Sequence, residues 1–239
     1  MSLKKHIPNS ITSMNLLAGA MGVVLTLQGR LDIAFPLMLA AAVFDFCDGL
    51  AARLLGAYSP IGKELDSLAD MVSFGLLPSV MLVETMQIHG RNDWVSFIPL
   101  FLAVMSGLRL AKFNVDERQS TDFIGVATPT SAMICGSLTY FIAAEPGTFL
   151  EQWAGSAWFL PVIAIVLGLL LVSEIPMFGM KVAKGHKLLD GKRITFLVLS
   201  AISLVAVIAF RMNWSLAVLA VFLIYLLENF LLFAFSKRS

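Results

Sequence analysis

Eight apolar segments, each close to the roughly twenty residues that cross a bilayer as a helix, follow one another along this 239-residue chain. They run approximately over 10–28, 32–55, 64–87, 94–112, 128–144, 157–178, 193–210 and 214–235. Between them fall "QGRLD", "GAYSPIG", "HGRND", "FNVDERQSTDFIG", "AEPGTFLEQ", "KVAKGHKLLDGKR" and "RMN", stretches rich in helix-breaking and charged residues. In hydrocarbon each backbone amide must find its partner inside the protein, so a chain patterned this way is restricted to a helical bundle. The composition agrees: 58% of residues are hydrophobic and 14% charged, against roughly 25% charged in soluble domains. No connection is long enough for a separate soluble unit. The expectation is an all-α polytopic membrane protein of about eight transmembrane helices, with 1–239 forming a single membrane-embedded domain. The opening "MSLKKHIPNSITSMNLL" has the basic start of a signal peptide but no clear small-residue cleavage site before about Gln28, so it reads as a retained first helix.

The basic residues sort by side. Lys4, Lys5, Arg53, Lys63, Arg109, Lys112, Arg118, Lys181, Lys184, Lys187, Lys192, Arg193, Lys237 and Arg238 belong to one set of alternate connections and the termini, whereas Arg30, Arg91 and Arg211 belong to the other. Such a bias predicts both termini in the cytoplasm and an even number of spans. It implies a multi-pass protein of the cell (inner) membrane. With 17 basic against 16 acidic residues there is no net charge to attract nucleic acid.

Four acids break the apolar pattern. Asp45, Asp48, Asp66 and Asp70 fall inside the second and third segments, where an isolated carboxylate costs about 2.5–3.5 kcal/mol at a helix centre. Asp45 and Asp48 are three apart and Asp66 and Asp70 four apart, so each pair projects from one helix face. The turn "GAYSPIG" can set the two pairs opposite each other, close to Arg53 and Lys63 and facing the cytoplasm. Convergent carboxylates repel unless protons or cations hold them together, and hard oxygen ligands suit Mg²⁺ or Mn²⁺. Two such ions would make a site for phosphoryl-type displacement. Gly49 and Gly62 beside the acids suggest close approach of a helix or a ligand, Ala52 keeps that face shallow, and Arg53 can meet a phosphate. The residues alone also admit an ion or proton pathway, or structural pairing of the acids with Arg53, Lys63 and Arg109.

Written as a pattern, residues 45–70 read D-x-x-D-G-x-x-A-R, eight residues, then G-x-x-x-D-x-x-x-D. At all eight fixed positions this resembles the signature of the CDP-alcohol phosphotransferase family. The resemblance implies a six-helix core, two divalent ions (Mg²⁺ or Mn²⁺) held by Asp45, Asp48, Asp66 and Asp70, and a CDP-linked donor attacked by an alcohol with release of CMP. It assigns Asp70 a second role as general base, and places Asp48, Gly49, Ala52, Arg53, Gly62, Asn9 and Thr12 at the CDP group. Three further stretches, "IPNSITSMNLLAG", "GLRLAKFNV" and "FIGVATPTSA", are similar to segments of membrane-embedded phosphatidylserine synthases, although Lys112 replaces an arginine and the last stretch lacks a proline. This resemblance covers about residues 7–135. It implies CDP-diacylglycerol and L-serine as substrates, with Arg109, Lys112 and Asn15 at the serine, and a homodimer in membrane lipid. Glycerol 3-phosphate or inositol phosphate as acceptor, and a cation- or proton-coupled transporter, are the competing expectations.

The remaining conspicuous residues read as structural. His6, His89 and His186 are scattered, Trp94, Trp153, Trp158 and Trp214 sit near span ends as interfacial residues do, and Cys47 and Cys135 lie in apolar surroundings. Glu174 and Glu228, late in the chain, pair with a base of "KVAKGHK" or support a dimer contact.

Overall fold

The computed structural model describes residues 6–116, 123–178 and 191–236, and each of the eight apolar segments contains a helix. In chain order these are α1 (His6–Thr26), α2 (Leu31–Leu55), a continuous third helix made of α3 (Pro60–Asp70), a π-helical stretch (Met71–Leu76) and α4 (Leu77–Ile88), then α5 (Leu100–Val115) after a short 3-10 turn at Trp94–Phe97. There follow α6 (Thr128–Ala144), the short α7 (Phe149–Ala154), α8 (Phe159–Leu171), α9 (Gly191–Ala209) and α10 (Ser215–Ser236). This is an all-α polytopic membrane protein. Among the described residues five units are long and apolar enough to cross a membrane: Leu31–Leu55, Pro60–Ile88, Trp94–Val115, Gly191–Ala209 and Ser215–Phe235. The basic residues Lys4, Lys5, Arg118, Lys181, Lys184, Lys187, Lys237 and Arg238, and His186, lie outside the described residues.

The sixth segment differs from its expected bounds. Its helix covers only Phe159–Leu171, because the chain beyond turns extended and Pro176–Met177 pairs antiparallel with Phe123–Ile124. Gly125, at φ +75°, makes this junction possible. A Cβ there would lie 2.6 Å from the Leu171 carbonyl oxygen, so only glycine fits without displacing backbone.

Two packed clusters hold the bundle. One centres on Phe35, Met38, Phe74, Leu77 and Met81, the other on Leu82, Leu102, Ile134, Leu138, Leu160 and Leu167. In lipid such contacts stabilise through close packing more than through removal of surface from water. Helix α1 approaches the third helix closely because Gly19 faces it: a Cβ at Gly19 would fall 2.2 Å from Ser73 Oγ and 2.8 Å from Ser73 Cα. Both α2 and α3 pack on α1, yet they hardly touch each other. The gap between them is where the acidic residues lie.

Candidate metal centre and nucleotide cleft

The local sequence explains how the acids are aimed. Helix α2 stops at Gly56, which takes the left-handed conformation (φ 59°, ψ 33°) and returns its N–H to the carbonyls of Ala52 and Arg53. Ser59 then caps α3, its Oγ accepting from Gly62 N at 3.0 Å, with Pro60 in the first helical turn. This cap orients α3 so that Asp66 faces the carboxyl pair of α2. One oxygen from each of Asp45, Asp48 and Asp66 lies within 4.8 Å of the others. Asp48 Oδ2 and Asp66 Oδ1 are buried and have no hydrogen-bond partner.

Among the described residues no ion pair reaches these acids. The nearby bases are engaged elsewhere: Arg53 is exposed, its Nε donating to the Gly49 carbonyl at 3.0 Å, and Lys63 Nζ donates to the Asn114 carbonyl at 3.0 Å. Structural pairing with Arg53 or Lys63 is therefore not how the cluster is balanced. Converging carboxylates, two of whose buried oxygens have no hydrogen-bond partner, are the donor set a hard divalent cation requires, so the residues fit Mg²⁺ or Mn²⁺.

Asp70 stands outside this trio but within electrostatic reach of all three acids. It is the last residue of α3, immediately before the π-helical stretch, a wide-turn geometry that recurs at functional sites. Asn15 Nδ2 donates to Asp70 Oδ1 at 3.3 Å, and the Ser73 hydroxyl donates to the Asn15 carbonyl at 3.0 Å. Asn15 is fully buried and its Oδ1 is unpartnered.

A cleft of about 200 Å³ opens beside the trio. Pro8, Asn9 and Thr12 of α1 line one wall, Asp48, Gly49 and Ala52 of α2 another, and Gly62, Lys63 and Asp66 of α3 the third, with Ala57, Tyr58 and Ser59 across the turn. Nothing lies within 4 Å of where a Gly49 Cβ would be, whereas one at Gly62 would meet Asn9 Oδ1 at 2.9 Å. Gly49 thus keeps the cleft open, and Gly62 lets α3 approach α1. Seven of the expected nucleotide residues are distributed accordingly: Asn9, Thr12, Asp48, Gly49, Ala52 and Gly62 line the cleft, and Arg53 stands outside its lining. Tyr58 and Ser59 were not anticipated. The Ser-Pro helix start was the signal that could have placed Ser59.

Arg109 is buried in α5 at 8% exposure. Its Nη1 donates to Thr128 Oγ1 at 3.0 Å, its guanidinium sits 5.7 Å from the Phe113 ring centre, and its Nε has no partner. It is within electrostatic reach of Asp70. Lys112, by contrast, is half exposed and pairs with Glu174 at 2.9 Å. Glu174 thus meets a base of α5; the "KVAKGHK" stretch, to which the sequence also pointed, lies outside the described residues. Asn114 ties α5 to α3, its Nδ2 donating to Ser67 Oγ at 2.9 Å.

Residues 5–170 match the CDP-alcohol phosphatidyltransferase family. The chain is 35% identical over 179 residues to a CDP-diacylglycerol–serine O-phosphatidyltransferase of Mycobacterium leprae, covering 72% of this chain and 57% of the relative. A protein of the same name from Helicobacter pylori is 30% identical over 202 residues, covering 84% of this chain and 81% of the relative. An archaetidylserine synthase of Methanothermobacter thermautotrophicus is 32% identical over 149 residues, 60% of this chain and 63% of that one. The chain spans about three fifths of the length of the mycobacterial relatives it matches (57% and 60%).

Proposed function

The chain belongs to the CDP-alcohol phosphatidyltransferase family, and from that premise we propose that it transfers the phosphatidyl group of CDP-diacylglycerol to the hydroxyl of L-serine, giving phosphatidylserine and CMP. The observation that carries this reading is the meeting of Asp45, Asp48 and Asp66 within 4.8 Å beside an open cleft. The serine-specific names of its relatives favour the acceptor. The whole of 1–239 is read as one catalytic domain, working as a homodimer in the cell (inner) membrane with its site and both termini on the cytoplasmic side.

In this reading the cleft takes the cytidine diphosphate, with Asn9 and Thr12 as its polar wall and Gly49 and Ala52 leaving room for the pyrophosphate. Arg53, exposed at the end of α2, turns from the Gly49 carbonyl to a phosphate oxygen. Asp45, Asp48 and Asp66, joined by Asp70, would hold two Mg²⁺ or Mn²⁺ ions, which when bound supply charge neutralisation and polarisation of the phosphoryl oxygens. The serine carboxylate is met by Arg109, whose free Nε is a buried donor. Lys112 is the lesser candidate because Glu174 already engages it.

Asp70 accepts the proton of the serine hydroxyl, an assignment favoured by its place beside the trio and its fixed orientation by Asn15. The serine oxygen forms a bond to the phosphorus that carries diacylglycerol. The bond from that phosphorus to the bridging oxygen breaks, and CMP departs with the electron pair.

Purified protein supplied with CDP-diacylglycerol, Mn²⁺ or Mg²⁺ and one acceptor at a time tests this. CMP release with serine, and little with glycerol 3-phosphate, inositol phosphate or water, is expected. Release with one of the phosphorylated acceptors instead would reassign the substrate, and ion flux without CMP would return the acids to a transporter. Asp70→Asn should retain CDP-lipid binding while losing turnover. Equal loss of both would remove its role as base.

A further inference from the structure

Asn229 is a buried amide, 2% exposed, within the otherwise apolar helix α10, and both polar atoms of its side chain are engaged. Its Nδ2 donates to the Tyr225 carbonyl one turn back at 2.8 Å, and its Oδ1 accepts from Phe178 N at 2.7 Å. Tyr225 grips the same residue, its hydroxyl donating to the Phe178 carbonyl at 3.0 Å. The rings close the contact: Phe178, Tyr225 and Phe196 of α9 pack edge to face with centres 5.2–6.2 Å apart. Helix α10 thus satisfies both the N–H and the C=O of Phe178, as a neighbouring strand would. Polar side chains inside membrane helices are kept where they have a specific partner, and this one serves a backbone position far from its own helix. Both α9 and α10 lie beyond the family match at 5–170.

What this clamp holds leads to Arg109. Phe178 directly follows the strand Pro176–Met177, which pairs with Phe123–Ile124. Next to that pair Gly125 N donates to the Ile175 carbonyl at 2.9 Å and Val126 N to the Leu170 carbonyl at 3.0 Å, so residues 123–126 are fixed against the chain that leaves α8. Two residues on, the fully buried Thr128 opens α6 and accepts from Arg109 Nη1 at 3.0 Å. Tyr225 is itself within electrostatic reach of Arg109, so the clamp and the guanidinium share one neighbourhood. An arginine meets a carboxylate through a planar fork of donors, and the match is lost when that plane tilts. Resting on the function proposed above, in which Arg109 meets the serine carboxylate, we infer that Tyr225 and Asn229 are positioning residues for the acceptor: by clamping Phe178 they hold Thr128 in place, and through it the plane of Arg109. The nucleotide cleft, walled by α1, α2 and α3, depends on none of these contacts.

Tyr225→Phe keeps the ring and removes only the hydroxyl, Asn229→Ala removes both amide bonds, and Leu227→Ala, at an exposed position between them, is the control. Tyr225→Phe should raise the serine KM about threefold to tenfold and Asn229→Ala at least as much, while kcat and the KM for CDP-diacylglycerol change less than about twofold; Leu227→Ala should move neither KM. In an Arg109→Ala background Tyr225→Phe should raise the serine KM no further, since it acts through the missing guanidinium. An unmoved serine KM, an equal rise in both KM values, or a full further rise in the Arg109→Ala background overturns the assignment. Hydrogen exchange at the amides of Gly125 and Val126 reads the clamp without turnover. Tyr225→Phe and Asn229→Ala should speed it at least about threefold and Leu227→Ala should not; unchanged exchange overturns the clamp whatever the KM values do. Faster exchange in a protein that releases no CMP with serine supports the clamp and overturns the function proposed above instead.

Discussion

Asn15 and Asp70, fifty-five residues apart in the chain, are joined by a 3.3 Å hydrogen bond from the amide of one to the carboxylate of the other. The bond links α1 to the exit of α3 and holds one oxygen of Asp70. Replacing Asn15 by leucine removes the donor without adding charge, and a hydrogen bond to a charged group contributes about 1.5–3 kcal/mol. Asn15→Leu should therefore lower kcat for CMP formation by about tenfold to a hundredfold. Binding of the CDP-lipid, measured separately by titration, should change less than about threefold.

The acidic trio makes a prediction about stability that needs no assay of turnover. Three carboxylates within 4.8 Å repel when no cation is bound. In chelator-treated protein Asp66→Asn should raise the melting temperature by a few degrees, the response to roughly 1 kcal/mol in a chain of this size. Added Mn²⁺ should stabilise the unmodified protein and leave Asp66→Asn nearly unaffected. Equal Mn²⁺ stabilisation of both would show that the ion sits elsewhere.

Gly19 leaves no room for a side chain, since the Ser73 backbone itself would lie 2.8 Å from the new Cβ. Gly19→Ala should force α1 away from the third helix at a cost of about 1–3 kcal/mol. The melting temperature should fall, and CMP release should fall with it because Asn15 travels on the same helix. Ser73→Ala removes only the hydrogen bond to the Asn15 carbonyl and should destabilise by about 1 kcal/mol. Differential thermal measurements on the two variants check the order.

Arg109 and Lys112 differ in what holds them. Arg109 is buried with an unpartnered Nε, and Lys112 is half exposed and paired with Glu174. Arg109→Ala should raise the serine KM at least about tenfold, with a much smaller effect on the KM for CDP-diacylglycerol. Lys112→Met should alter stability by no more than about 1 kcal/mol, the range of an exposed pair, and change the serine KM less than about threefold. An equal effect of Arg109→Ala on both substrates would take it out of the acceptor site.

Much of this architecture is legible from spacing. The stretch 128–144 is helical at the bounds its apolar run suggests, and the three-residue interval of Asp45 and Asp48 does put both on the face that meets Asp66. What spacing does not carry is the relation between helices. The turn "GAYSPIG" pointed to acids of α2 and α3 set opposite each other, as Asp45, Asp48 and Asp66 are; it did not show that both helices pack on α1 and leave a cleft between them. Pairing of the acids with Arg53 or Lys63 is one alternative the residues admit, but backbone carbonyls hold both. The sixth segment is apolar enough to read as helix to 178, and only its pairing with Phe123–Ile124 explains why it ends at Leu171.

The wide turn over Met71–Leu76 has a consequence for how such a site is kept or lost. A π-helical turn accommodates one residue more than the α-helical turn it replaces, and one residue corresponds to about 100° of rotation. Deleting a single residue there would restore regular pitch with the two flanks still in register; drawing the full count of residues into an α-helix would instead swing everything upstream by that angle. Asp66 and Asp70 would then point into lipid while α4 stayed seated in the core. The aim of two carboxylates thus depends on one extra residue being taken up within one short stretch, a register that no change of side chain alone could restore.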